Sequence, residues 1–278
     1  FWDLVTVSVL GGTGASAILL LLTVTLARLS FRRGWDLDAV STPMVTAAGD
    51  MVTLPSLFVA TFLVGIRWVT PAVAGVAVIL TLYVVVRSLL TDLPLARRIL
   101  RESIPVLILA GAVDVVAGVV VESRLDRFLI FPVFLVLIPP FLESAGALGG
   151  ILSSRLASKL HLGVLSPRGR PEGPAYLDAT IILLFAVVTF FLTGLAADVA
   201  GALVGLDSPG ALTVIGVSML AGSMATVLAV LVAYYAAVAT FRLGLDPDNY
   251  GIPMITSSMD FVGVIALVIA LLAFGVGS

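Results

Sequence analysis

Apolar runs about as long as a bilayer is thick recur along the whole of this 278-residue chain, with the charges gathered between them. A helix rises 1.5 Å per residue, so about 20 apolar residues cross a hydrocarbon core. Eight such spans can be placed, at 4–27, 41–65, 70–90, 103–121, 128–152, 176–200, 211–240 and 250–275. Lipid offers backbone polar groups no partner, so each span must be a helix or a strand of a closed barrel. The alternating pattern of a barrel strand is missing from them. The predicted fold class is therefore all-α, a polytopic membrane protein with about eight transmembrane helices.

Composition narrows the chemistry. Hydrophobic residues make up 60% of the chain and charged ones 12%, where soluble domains carry about a quarter charged. The absence of cysteine excludes disulfides and thiolate metal sites. The single histidine, His161, placed in a basic loop and expected to be solvated, cannot make an imidazole cluster. The expected surroundings are a lipid bilayer, with no nucleic-acid partner. The chain opens at Phe1 inside an apolar run with no basic segment before it, so no signal peptide is expected at this point.

Sidedness follows from the basic residues. With eight spans, one face receives Arg28, Arg32, Arg33, Arg87, Arg97, Arg98, Arg101, Arg155, Lys159, Arg168, Arg170 and Arg242. The other receives Arg67, Arg124 and Arg127, which completes the 15 basic residues. Cytoplasmic loops carry the excess of Lys and Arg, so the first face is expected inside the cell and the C-terminus outside. The expected location is the cell membrane.

An internal repeat organises the chain. Residues 1–68 align without gaps on 211–278 at an offset of 210, with about 20 identities. Phe31-Arg32-x-Gly34-x-Asp36-x-Asp38 returns as Phe241-Arg242-x-Gly244-x-Asp246-x-Asp248, and Pro43-Met44-Val45-Thr46-x-x-x-Asp50 returns as Pro253-Met254-Ile255-Thr256-x-x-x-Asp260. Shared apolarity would match scattered Leu and Val, not acids and prolines. Residues 102–278 then form a five-helix repeat, residues 1–68 the last two helices of an earlier one, and residues 69–101 a linker helix and loop. Five crossings plus one restore the starting direction, so the two repeats are expected to be parallel, related by an axis along the membrane normal. By the offset, either roughly a hundred residues carrying three helices of the first repeat are expected ahead of Phe1, or the two repeats are unequal.

The acids singled out within spans are Asp50, Asp114, Glu143 and Asp260, with Asp198 near the outer end of its own, and no Lys or Arg lies mid-span to pair with them. An Asp at a helix centre costs about 2.5–3.5 kcal/mol on insertion scales, so acids kept there are functional candidates by default. Five acids and no base favour a cation pathway. Asp50 and Asp260 are the first-choice metal residues, because repeat symmetry puts them at equal heights near the midplane. Thr46 and Thr256, one turn earlier on the same face, can offer oxygens to the ion or its water. Pro43 and Pro253 are read as lying near helix starts, where a missing N–H costs little. Glu143 follows Pro139-Pro140, read as a kink, and precedes Gly146, Gly149 and Gly150, which open a cavity or merely let helices pack closely. Asp114 serves equally well as an interhelical hydrogen-bond partner, and Asp198 as an interfacial acid. Asp36, Asp38, Asp246 and Asp248 read as loop acids capping the helices that follow.

These residues resemble the MgtE family of magnesium channels and transporters, including its animal solute-carrier relatives. The resemblance rests on Asp246-Pro247 followed by Pro253-x-x-Thr256-x-x-x-Asp260, similar to the family's last-helix signature, with a degenerate first copy ending in Asp50. Pro140-Phe-Leu-Glu-Ser-Ala-Gly146 and Ser154-Arg155-Leu156 are similar to its proline-led Gly-Asn segment and downstream Ser-Arg-Leu, with Ala147 in place of the asparagine. The resemblance implies that Asp50 and Asp260 line a central pore between the repeats, and that the two fused domains imitate a homodimer, so the chain is expected to act as a monomer, a fused pseudo-dimer. An enzyme is not expected.

Magnesium suits these residues on chemical grounds too, as the transported ion. Mg²⁺ keeps several waters and is usually held by one or two carboxylates, whereas calcium asks for 6–8 oxygens. Manganese or cobalt fits nearly as well. A sodium- or proton-coupled carrier of an organic substrate would call for more Asn, Gln and aromatic groups in the spans. An intramembrane aspartyl enzyme is disfavoured because Ala48-Gly49-Asp50 lacks the usual Gly-x-Gly-Asp and the last span has no Tyr-Asp.

Overall fold

The computed structural model describes residues 2–35, 37–66, 68–90 and 94–276, with the side chains of 37–43, 46, 50, 69, 89, 94–96 and 248 outside the description. Nine helices are present among the described residues: α1 (Trp2–Arg33), α2 (Leu37–Thr61), α3 (Val69–Leu89), α4 (Pro94–Glu122), α5 (Leu125–Ile130), α6 (Val133–His161), α7 (Gly173–Val204), α8 (Ala211–Leu243) and α9 (Pro247–Ala273). Seven of these are long and apolar enough to cross a membrane: α1, α3, α4, α6, α7, α8 and α9. The protein is an all-helical, multi-pass membrane protein. The expected span at 41–65 falls on α2, a helix of 25 residues.

Several helices outrun their apolar stretches. Span 128–152 is divided: α5 ends at Ile130, and α6 begins after Pro132 and continues to His161. Pro139 and Pro140 lie inside α6 without ending it. Pro253 lies inside α9, six residues after Pro247, and not in the first turn as the sequence suggested. The added turns are polar and end in bases: Arg32 and Arg33 close α1, Lys159 and His161 close α6, and Arg242 closes α8. Cations there complement the partial negative charge of a helix C-terminus. His161 thus belongs to α6 rather than to the loop; it is exposed, with Nδ1 2.8 Å from the Ala157 carbonyl.

The chain separates into two compact units, residues 1–101 and 102–278. In the first, α1 packs along α2 and α3. Gly11 makes room on α1, because a Cβ there would stand 2.8 Å from the Leu57 side chain and 2.9 Å from its Cα. The Thr6 hydroxyl donates to the Thr70 carbonyl at 3.1 Å, and the Thr70 hydroxyl donates to the Leu63 carbonyl at 2.7 Å, tying the α2–α3 turn to α1.

In the second unit α6, α7, α8 and α9 form a bundle in which α6 and α8 each touch the other three. Ala221, Ala225, Ala229 and Ala233 are fully buried at four-residue intervals on α8. Small side chains so spaced let membrane helices approach closely, where van der Waals packing holds them together. Phe190 of α7 presses its ring on Gly222, and Gly194 admits Ile215 and Ser218 of α8. The Ser218 hydroxyl donates to the Phe190 carbonyl at 2.7 Å across the same seam.

Candidate functional site

Asp260 sits on α9 eleven residues after Asn249 and thirteen before Ala273, the ends of its membrane-length stretch. At 1.5 Å per residue it is about 17 and 20 Å from them, near the middle of the crossing. It is half-buried. Thr256, one turn earlier and also half-buried, donates its hydroxyl within α9, 3.1 Å from both the Ile252 and Pro253 carbonyls. That back-bonding uses the proton and leaves oxygen lone pairs for a cation or a water.

The opposing wall is α6. A Cβ on Gly146 would lie 3.6 Å from Cγ2 of Thr256, one on Gly149 2.6 Å from Cγ2 of Ile255, and one on Gly263 2.6 Å from Leu142. Gly251 faces Ser153 at 3.3 Å. Numbers rise on one helix as they fall on the other, so α6 and α9 are antiparallel, and Asp260 stands level with residues 143 and 144. The small-residue run after Glu143 therefore lets α6 approach α9 closely. Glu143, half-buried, comes three residues before Gly146, and Asp260 four after Thr256. Both carboxylates are displaced the same way from the Gly146–Thr256 contact.

The remaining candidates separate. Asp114 is exposed on α4. Asp198, near the end of α7, accepts the Ser208 hydroxyl at 2.8 Å and so anchors the α7–α8 connection. Asp246 immediately precedes α9, and its carbonyl accepts the Tyr250 N–H at 3.1 Å. Asp50 and Thr46 lie on α2, but their side chains are outside the described residues, as are those of Asp38 and Asp248; Asp36 is wholly outside.

One carboxylate escapes the sequence reading. Asp178 of α7 is 1% exposed, with Oδ2 2.6 Å from Nζ of Lys159 and Oδ1 3.2 Å from Nη2 of Arg155. Both bases come from the last turns of α6, which hydropathy assigns to a loop. Nearby the α6–α7 connection is fastened to α8: Tyr234 Oη donates to the Arg168 carbonyl at 2.9 Å, and Arg242 Nε to the Pro167 carbonyl at 2.9 Å.

The donors near mid-membrane are thus carboxylate and hydroxyl oxygens, the set that hard divalent cations take. Among the described residues no group of three or more His, Cys, Asp or Glu side chains could hold a metal ion. Such a closed cage suits a resident metal. An ion in transit needs looser, partly hydrated binding. No solved structure matches the chain. Residues 138–270, which carry Glu143, Asp198, Thr256 and Asp260, match the family model of MgtE, described as a divalent cation transporter. By this match, residues 138–270 are similar to a divalent cation transporter domain.

Proposed function

We propose that the protein carries Mg²⁺ along a pathway lined by Asp260 and its repeat counterpart Asp50. The observation that carries this reading is the place of Asp260: half-buried at the middle of a crossing helix, one turn from Thr256, level with Glu143 across a contact made close by Gly146 and Gly149. Mg²⁺ gives up water reluctantly, so one or two carboxylates with hydroxyls behind retained waters suit it. Asp50 and Thr46 enter through the repeat.

The internal geometry of the two units supports that repeat. Gly34 and Gly244, equivalent at the offset of 210, both have φ of 66° and both end their helices. The Trp35 N–H reaches the Ser30 carbonyl at 3.0 Å, and the Leu245 N–H reaches the Thr240 carbonyl at 3.0 Å. This is the same six-to-one closure at equivalent residues. Two parallel repeats in one chain make a pathway between them, with the basic loops inside the cell, the economical arrangement. Eight crossings, with α2 as one, give the parity this requires.

Uptake of Mg²⁺ into vesicles containing the protein tests the reading. Flux should require an inward Mg²⁺ gradient and be lost in Asp50→Asn and Asp260→Asn. Flux that demands a sodium or proton gradient would move the protein to the coupled carriers, and flux indifferent to both aspartates would remove them from the pathway.

A further inference from the structure

Adjacent prolines inside a membrane helix expose adjacent carbonyls. Pro139 and Pro140 lie within α6 and have no N–H, so the carbonyl oxygens of Leu135 and Val136, four residues earlier, lose their helical donors. The proline rings also press those carbonyls away from the helix. In hydrocarbon such oxygens stay poor unless a donor, a water or a cation meets them. The nearest following hydroxyl does not serve them: Ser144 donates instead to the Pro140 carbonyl at 2.7 Å.

The face these oxygens occupy is the open one. Pro139 and Pro140 are exposed and Leu135, Val136 and Glu143 half-buried, while Phe134, Leu137 and Phe141 on the other side fill the core. Val136 and Glu143 are seven residues apart, so they share one stripe. Helical carbonyls point toward the C-terminus, and a helical Glu side chain leans back toward the N-terminus. A Glu side chain leaning that way from position 143 would span much of the roughly 10 Å between the Cα levels of 136 and 143. A partly hydrated cation fills what remains.

We propose that α6 carries a divalent-cation site of its own, formed by the Glu143 carboxylate and the main-chain carbonyls of Leu135 and Val136. All its protein ligands are hard oxygens, and one carboxylate with retained waters suits Mg²⁺ or Mn²⁺. The α6–α9 register puts the carbonyl pair beyond Asp260, toward the C-terminal end of α9. The site is a staging point where an ion exchanges some of its water for carbonyl oxygen before or after Asp260, so it rests on the reading that Asp260 lies on the pathway.

The test uses the whole chain in lipid nanodiscs, with Mn²⁺ as a paramagnetic probe, and Mg²⁺ uptake in vesicles. Replacing both prolines (Pro139→Ala with Pro140→Ala) returns two N–H donors to the carbonyls and leaves Glu143 in place. Alanine favours the helix, and a melting temperature no lower than that of the parent protein verifies the fold. This variant and Glu143→Gln should each lose the same Mn²⁺ site per chain and raise the Mg²⁺ concentration for half-maximal uptake about tenfold. Asp260→Asn should keep that Mn²⁺ site and lose uptake. Unchanged Mn²⁺ stoichiometry and half-saturation in the proline variant would overturn the proposal, even if Glu143→Gln binds less. Normal uptake in Asp260→Asn, with the α6 variants still losing Mn²⁺, would overturn the pathway role of Asp260 and leave the α6 site standing.

Discussion

Asp178 of α7 and Lys159 of α6 meet at 2.6 Å, and the carboxylate is 1% exposed while the lysine side chain is 23% exposed. The carboxylate is therefore held inside while both its bases, Lys159 and the 35% exposed Arg155, keep an edge toward the surroundings. This unequal burial decides which substitution hurts. A buried carboxylate that loses a base stays buried, whereas the bases that lose the carboxylate can turn outward.

Asp178→Asn is accordingly expected to lower stability by about 1–3 kcal/mol, less than the 3–5 typical when a fully buried pair is broken. Lys159→Met should cost at least as much, because Asp178 would keep only Arg155. In a double-mutant cycle the two changes should be non-additive by about 1–3 kcal/mol. Unfolding midpoints of the four proteins in detergent measure this. Additive losses would show that the contact contributes nothing beyond its separate side chains.

Hydropathy could not show this pair, for a physical reason. Apolar-run counting stops at the first charges, so it ended a span at 152 and treated Arg155 and Lys159 as loop residues. The helix continues because its polar turns have a partner: Asp178 offsets both charges from the neighbouring helix. The all-helical, multi-crossing class was legible because lipid allows few alternatives. Asp260 was legible because an acid stands out in an apolar run. The level match of Glu143 with Asp260 was not, since it depends on an antiparallel register set by contacts at Gly146, Gly149 and Gly263. Sequence spacing within one helix says nothing about register against another.

That register gives a second prediction, from two glycines one turn apart. At Gly149 a new Cβ would meet Ile255 Cγ2 at 2.6 Å, and Ile255 is fully buried and has nowhere to go. At Gly146 the nearest atom, Cγ2 of Thr256, is at 3.6 Å, an ordinary contact. Gly149→Ala should therefore destabilise by about 1–3 kcal/mol through overpacking. Gly146→Ala should change stability by less than about 0.5 kcal/mol or raise it slightly, because alanine is the better helix former. Gly149→Ala should also slow Mg²⁺ uptake by pushing α9 from α6. Equal melting temperatures for the two variants would contradict the close α6–α9 contact.

The third prediction concerns the ends of α7. Asp198 accepts the Ser208 hydroxyl at 2.8 Å in an exposed setting, and the same Ser208 oxygen accepts the Gly210 N–H at 3.1 Å. These bonds order the turn into α8 and require no ion. Asp198→Asn keeps an acceptor for Ser208, so it should leave Mg²⁺ uptake within about twofold of wild type and cost less than about 1 kcal/mol. A loss of uptake as large as that in Asp260→Asn would return Asp198 to the ion pathway.

The last prediction separates a carboxylate that serves the ion from one that serves the fold. Asp260→Asn keeps the side chain's size at the middle of α9 and removes its charge. If the charge offsets the cost of stripping water from Mg²⁺, uptake falls at least about tenfold, because each 1.4 kcal/mol of lost binding is a factor of ten. Asp50→Asn should do the same through the repeat. Folding without Mg²⁺ should survive in both, since an amide at a helix centre is less costly than a carboxylate. The magnesium-dependent part of stability should shrink: an ion at a hundred times its dissociation constant adds about 2.7 kcal/mol to a native state that binds it, and less to one that binds it weakly. Melting temperatures with and without Mg²⁺, paired with uptake for each single variant and the double, measure both effects. An aspartate that only donates an interhelical hydrogen bond is imitated by asparagine, so normal uptake with undiminished magnesium stabilisation would assign Asp50 and Asp260 to the fold.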